Sequence, residues 1–153
     1  MRYYKKDIVF QEVPGEITLC FLICGCPLRC QGCHSPFTWN EHTGNLLTAE
    51  TYIGLLDQYQ GSLTCVLFMG GEWHEDELHL FLKIARQRGL KTCLYTGLED
   101  VSAKLKSQLS YLKTGPYIAS LGGLDSPRTN QRMIQLDNKE CLNQAFYKKP
   151  LVG

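Results

Sequence analysis

Ile17-Thr-Leu-Cys-Phe-Leu-Ile23 runs directly into Cys24-Gly25-Cys26-Pro-Leu-Arg-Cys30-Gln-Gly-Cys33-His34. The first half is short, nearly all apolar, and bounded by Gly and Pro. That is the pattern of a strand buried on both faces, the usual state in a parallel sheet. Alternation along it places Thr18, Cys20, Leu22 and Cys24 on one face and Leu19, Phe21 and Ile23 on the other. The second half gathers the thiols of Cys26, Cys30 and Cys33 within eight residues. Thiolates hold iron–sulfur clusters and structural zinc. Three close cysteines with no equally close fourth predict a metal centre that keeps one coordination position open. Cys20 reads as a small buried hydrophobe, whereas Cys24 stays open between packing and ligation.

Upstream, Val13-Pro-Gly-Glu16 is a turn. Downstream, Thr48 is a candidate N-cap for a first helix reaching Tyr59, with Gly61 as its stop. Leu63–Met69 repeats the buried-strand pattern and ends at Gly70-Gly71-Glu72-Trp73. A second helix is predicted from Asp76 to about Arg88, with Leu78, Phe81, Leu82 and Ala85 on one face. Lys91–Thr96 gives a third strand, closed by Gly97. Val101, Leu105, Leu109 and Leu112 recur at helical spacing and predict a third helix, and Tyr111–Ile118 can hold a further strand. Strands alternating with helices indicate βαβ units. Three or four such units cannot close an eight-unit barrel of ~250 residues. The expectation is an α/β fold, an open, partial (β/α) barrel with mostly parallel strands, formed as one domain over residues 1–153 with its core at about 15–136.

In this class ligands bind at the carboxyl ends of the strands. The cysteine loop, Gly70-Gly71-Glu72 and Thr96-Gly97 then share one rim. Adjacent glycines admit a ligand close to the backbone, and Glu72 offers a carboxylate to a cationic group. The plainer alternative is structural zinc, with His34 or Cys24 completing a tetrahedron, but no second close cysteine pair follows. Trp39 and Trp73 read as packing residues, Tyr95 as core, and Cys65, Cys93 and Cys141 as isolated thiols.

Composition removes several function classes. Of the 153 residues, 44% are apolar and 20% charged, the make-up of a globular protein. Sixteen basic against fifteen acidic residues leave a net charge of +1, so no basic field argues for a nucleic-acid partner. Lys5-Lys6 and Lys148-Lys149 read as solvated ends. No apolar run approaches the ~20 residues that span a bilayer, and no signal-peptide core follows Met1. These features predict a cytoplasmic protein with no membrane role. Eight cysteines, five of them between positions 20 and 33, then fit metal ligation better than disulfides.

Cys26-x-x-x-Cys30-x-x-Cys33 followed by a strand-end Gly70-Gly71-Glu72 resembles the radical S-adenosylmethionine superfamily. More narrowly, Phe21–Trp39 is similar to the activating proteins of anaerobic (class III) ribonucleoside-triphosphate reductases. Leu94-Tyr-Thr-Gly97, Tyr111-Leu-Lys-Thr-Gly-Pro-Tyr117 and Leu124-Asp-Ser-Pro with Thr129-Asn-Gln-Arg132 carry the same likeness. The resemblance implies that Cys26, Cys30 and Cys33 bind a [4Fe-4S] cluster whose fourth iron chelates S-adenosylmethionine. Reductive cleavage would give a 5′-deoxyadenosyl radical that takes hydrogen from a glycine Cα of the reductase. It further implies that Gly70, Gly71 and Glu72 meet the methionine amino end, that Gly32, Cys33 and His34 lie beside the adenine, and that a flavodoxin-type donor supplies the electron. Two departures stand out. Gly32 replaces an aromatic residue common before the third cysteine, though the reductase activators also carry glycine there. The strand-end motif continues as Glu72-Trp73-His74, where Asp-Pro is common elsewhere in the superfamily.

Overall fold

The computed structural model describes residues 1–147; the Lys148-Lys149 pair lies outside them. The described strands are β1 (Arg2–Val9), β2 (Thr18–Ile23), β3 (Asn45–Leu46), β4 (Cys65–Met69), β5 (Lys91–Tyr95), β6 (Tyr111–Thr114), β7 (Arg132–Gln135) and β8 (Glu140–Cys141). They form one sheet in the order β3-β1-β2-β4-β5-β6-β7-β8. Its centre, β2-β4-β5-β6, is parallel, as the apolar runs predicted. Both flanks are antiparallel. The sheet is open, with β3 and β8 as its edges.

Helix α1 (Ala49–Gln58) starts where the Thr48 hydroxyl oxygen accepts the Thr51 N–H at 3.0 Å, a side-chain cap on a free helical donor. Helix α2 (Glu75–Gln87) buries Leu78, Phe81, Leu82 and Ala85, the predicted face. The third helix differs from its expectation. Helix α3 covers only Ala103–Lys106, and Leu112 lies on β6. The Ser110 N–H donates to the Thr92 carbonyl at 2.9 Å, so pairing with β5 captures the chain before another helical turn forms. Leu105, Leu109 and Leu112 all reach the core, but from a helix, a turn and a strand.

All three helices pack on one face of the sheet. Leu19, Phe21, Ile23, Val66, Phe68 and Leu94 meet Tyr52, Leu56, Phe81, Leu82 and Leu105 there. The opposite face carries Cys20, Cys65, Leu67, Cys93, Tyr111 and Met133, covered among the described residues by Val13, Leu124 and the short 3-10 helix Asn143–Phe146, with no α-helix. The alternation read along β2 is therefore correct, and Cys20 is a core residue. At the amino ends of the strands, Lys91 Nζ donates to Glu16 Oε1 at 2.7 Å and the Tyr111 hydroxyl donates to the same oxygen at 3.0 Å. This joins the entrance of β2 to β5 and β6.

Candidate functional site

The parallel register places the ends of β2, β4 and β5 side by side, so their three following loops share one rim, as expected. The cysteine loop leaves β2 through Gly25, whose N–H donates to the Thr38 carbonyl at 2.6 Å. Its course needs left-handed backbone at Gly25, Gly32 and, against the usual side-chain preference, Arg29 (φ 50°). The Cys33 N–H donates to the Cys30 carbonyl at 3.1 Å, and Cys33 Sγ accepts the Ser35 N–H at 3.3 Å. Cys26, Cys30 and Cys33 are the partly exposed thiols; Cys20, Cys24, Cys65 and Cys93 are buried. Cys24 Sγ lies 3.0 Å from where a Cβ on Gly44 would sit. Cys141 is exposed on edge strand β8.

Among the described residues no three His, Cys, Asp or Glu side chains converge on a point that one metal ion could occupy.

A cavity of about 200 Å³ lies against the loop, with Cys26, Cys33, Gly70, Glu72, Trp73, Trp39, Tyr95, Thr96 and Lys113 in its wall. Glu72 Oε1 accepts the Thr96 hydroxyl at 2.7 Å, while Glu72 Oε2 is buried with no partner. Burial pushes its carboxyl above the usual range, with the Thr96 bond opposing only in part. Burial also raises the Cys26 thiol, with the Glu72 charge adding to it. Opposite, burial pushes the Lys113 ammonium down, and its Nζ sits 4.8 Å from the Tyr95 ring centroid. Trp39 Nε1 and Trp73 Nε1 are likewise buried without acceptors. Gly70 (φ 90°) and Gly71 (φ 107°) turn the chain under the cavity, and a Cβ on Gly70 would lie 2.6 Å from the Trp73 ring.

A larger cleft of about 820 Å³ shares the wall formed by Cys33, Ser35, Tyr95 and Lys113. It is lined further by His34, Tyr117, Gly122, Gly123 and Gln131. His34 is exposed, its ring 4.7 Å from that of Tyr117, and Gly32 is exposed beside it. The structure thus brings Cys26, Cys33, Gly70 and Glu72 to one cavity and His34 to the neighbouring cleft. Cys30, Gly32 and Gly71 stand outside the lining of the small cavity. Lys113, Trp39, Trp73 and Tyr95 were not singled out as site residues from sequence. A lysine directly after Tyr111-Leu112 on β6 was the one available signal for Lys113.

The donor set fits an iron–sulfur centre beside a zwitterionic ligand. Three thiols are accessible to metal, an unpaired carboxylate awaits a cation, and side-chain-free backbone leaves room to approach. Comparison with known proteins supports the iron–sulfur centre. Residues 13–120, well over half the chain and including every rim loop, match the family described as the 4Fe-4S single cluster domain. The chain belongs to that family. It is also 37% identical over 92 residues to the pyruvate formate-lyase-activating enzyme of Clostridium pasteurianum, a match covering 54% of this chain and 37% of that protein. The chain thus spans well under half the length of that relative. As a 4Fe-4S single cluster domain, it presents its accessible loop thiols at the mouth of a parallel sheet.

Proposed function

We propose that this chain is a radical S-adenosylmethionine glycyl radical activase that acts on an anaerobic ribonucleoside-triphosphate reductase. Cys26, Cys30 and Cys33 would hold the [4Fe-4S] cluster, and S-adenosylmethionine would occupy the adjoining cavity. When bound, the reduced cluster would supply the one electron for reductive cleavage of S-adenosylmethionine, the chemistry needed to remove a hydrogen atom from a glycine Cα of the target. The observation that carries this reading is the unpaired, buried Oε2 of Glu72 in the same cavity as Cys26 and Cys33. A carboxylate in that position needs a cation, and the ligand's ammonium provides one. Gly70 and Gly71 let the amino-acid end approach the backbone.

At about 200 Å³ the cavity is smaller than the ~300–1,000 Å³ typical of ligand sites. The ligand therefore extends past Cys33 into the larger cleft, toward Gly32 and His34. Lys113 on the shared wall opposes negative charge there. Walls formed by Trp39, Trp73 and Tyr95 exclude water, which protects a reactive radical from side reactions. On this reading β2, β4, β5 and β6 form the wall of a partial barrel. Described α-helices on one face only support that over a doubly wound sheet. The setting is the cytoplasm, with a flavodoxin-type electron donor.

The name of the Clostridium relative supports an activase in general. The choice of the reductase rests on the likeness of Phe21–Trp39, Leu94–Gly97, Tyr111–Tyr117 and Leu124–Arg132, of which the last two interlock at the cleft. The Asn130 amide donates to the Pro116 carbonyl at 2.9 Å and the Gln131 amide to the Gly115 carbonyl at 3.2 Å. The second reading, favoured by that relative, is activation of a different glycyl radical enzyme. Anaerobic reconstitution with reductant, S-adenosylmethionine and either target decides between them. A glycyl radical signal by electron paramagnetic resonance is expected with the reductase. Its absence there despite an intact cluster would overturn the target, and zinc without iron in anaerobically purified protein would overturn the enzyme.

A further inference from the structure

The cavity holds two hydrogen-bond donors that the proposed chemistry leaves unused. Trp39 Nε1 and Trp73 Nε1 are both buried and without an acceptor, and both residues line the cavity with Cys26. The Trp73 indole stretches from the end of β4 to the start of the cysteine loop. One end of the ring, Cη2, lies 2.6 Å from the Cβ position of Gly70, while Nε1 lies 3.1 Å from that of Gly25. Its N–H edge therefore faces the chain neighbour of Cys26. Trp39 is held at the same place, because the preceding carbonyl, that of Thr38, accepts the Gly25 N–H. The Arg29 guanidinium sits 5.6 Å from its ring centroid.

A buried donor without an acceptor is costly, and a phenyl ring would pack in its place without that cost. Two such donors at one corner call for an acceptor that occupies the cavity. Resting on the reading that Cys26, Cys30 and Cys33 hold a cluster, we propose that the indole N–H groups of Trp39 and Trp73 donate hydrogen bonds to sulfur at its Cys26 corner and raise its reduction potential. Cluster sulfur gains negative charge on reduction, so a donor aimed at it stabilises the reduced form more than the oxidised one. Both tryptophans are positioning residues under this proposal.

The test uses the full chain, reconstituted anaerobically without S-adenosylmethionine, as wild type, W39F, W73F and the double variant. Iron and sulfide content is measured first, and the midpoint potential is then taken by redox titration followed by electron paramagnetic resonance. Each single variant is expected to lower the reduced-to-oxidised ratio at a fixed poise by roughly threefold to tenfold, tenfold being about 59 mV for one electron. In protein labelled with 15N at the indole nitrogen, the reduced wild-type cluster is expected to show 15N hyperfine coupling. This second readout needs no variant to fold. Fully loaded variants with unchanged potentials, or a labelled wild type without coupling, would overturn the proposal. So would a shift seen only with S-adenosylmethionine present, which would make that ligand the acceptor. A wild type that takes up no cluster would instead overturn the underlying reading.

Discussion

Glu72 is held in conflict with its surroundings. One oxygen is satisfied by Thr96, the other is buried and alone, and burial raises the carboxyl's pKa. The folded value then exceeds the unfolded one, near ~4.3. Between the two the folded state binds more protons, so the ligand-free protein loses stability as pH rises through that window. Glu72→Gln is expected to flatten this decline in thermal melts of apoprotein taken from acid to neutral pH. The same change should weaken S-adenosylmethionine binding to the loaded protein by roughly tenfold or more, because it removes a charge-assisted hydrogen bond of about 1.5–3 kcal/mol; equilibrium binding measures this. At the thiols, Cys26→Ala, Cys30→Ala or Cys33→Ala should each abolish stable cluster loading, read as iron content and visible absorbance. Cys65→Ala, Cys93→Ala and Cys141→Ala should keep it, and loss there would show that the ligands are assigned wrongly.

Between elements, two joints set the frame of the site. At the amino ends of the strands, Glu16 ties β2 to β5 and β6. Burial alone would raise its pKa, but hydrogen bonds from Lys91, Thr64 and Tyr111 outweigh burial and lower it. That stability is present above the unfolded carboxylate pKa and is lost as pH falls through the folded value. Glu16→Gln should cost about 1–3 kcal/mol in urea unfolding at neutral pH, with the gap to wild type narrowing in acid. At the carboxyl ends, Gly70→Ala meets both a left-handed backbone and the Trp73 ring, and a loss of about 1–3 kcal/mol is expected. Gly61→Ala, also left-handed (φ 84°) but with open space around its Cβ, should cost less. The sequence shows these elements unevenly. β2, β4, β5, α1 and α2 were legible because each buries an unbroken or periodic apolar set. α3 was misread because Leu105, Leu109 and Leu112 keep helical spacing across three different conformations. β1 has charged Lys5-Lys6-Asp7 in mid-strand and showed no pattern; its place is fixed by pairing with β2.

For the whole molecule, the grouping of Cys26, Cys33, Gly70 and Glu72 at one cavity was legible because their spacing and the strand ends locate them. Lys113, Trp39 and Trp73 were not, since only the fold brings β6, the turn after the cysteine loop and the turn after β4 onto one cavity. The same fold divides the thiols into two populations. Burial pushes Cys20 and Cys65 up to about 12 and Cys93 well above its usual value. A protonated, enclosed thiol is neither nucleophile nor ready ligand. Brief alkylation of the native apoprotein should therefore label Cys26, Cys30, Cys33 and Cys141 and spare Cys20, Cys24, Cys65 and Cys93, as peptide mass mapping would show. Damage by air follows the same division. Oxygen would strip the metal and oxidise the loop while the reduced thiols under the sheet stay untouched, so a sample ruined by exposure keeps its fold. Thiol reductant followed by fresh iron and sulfide should then bring it back without refolding.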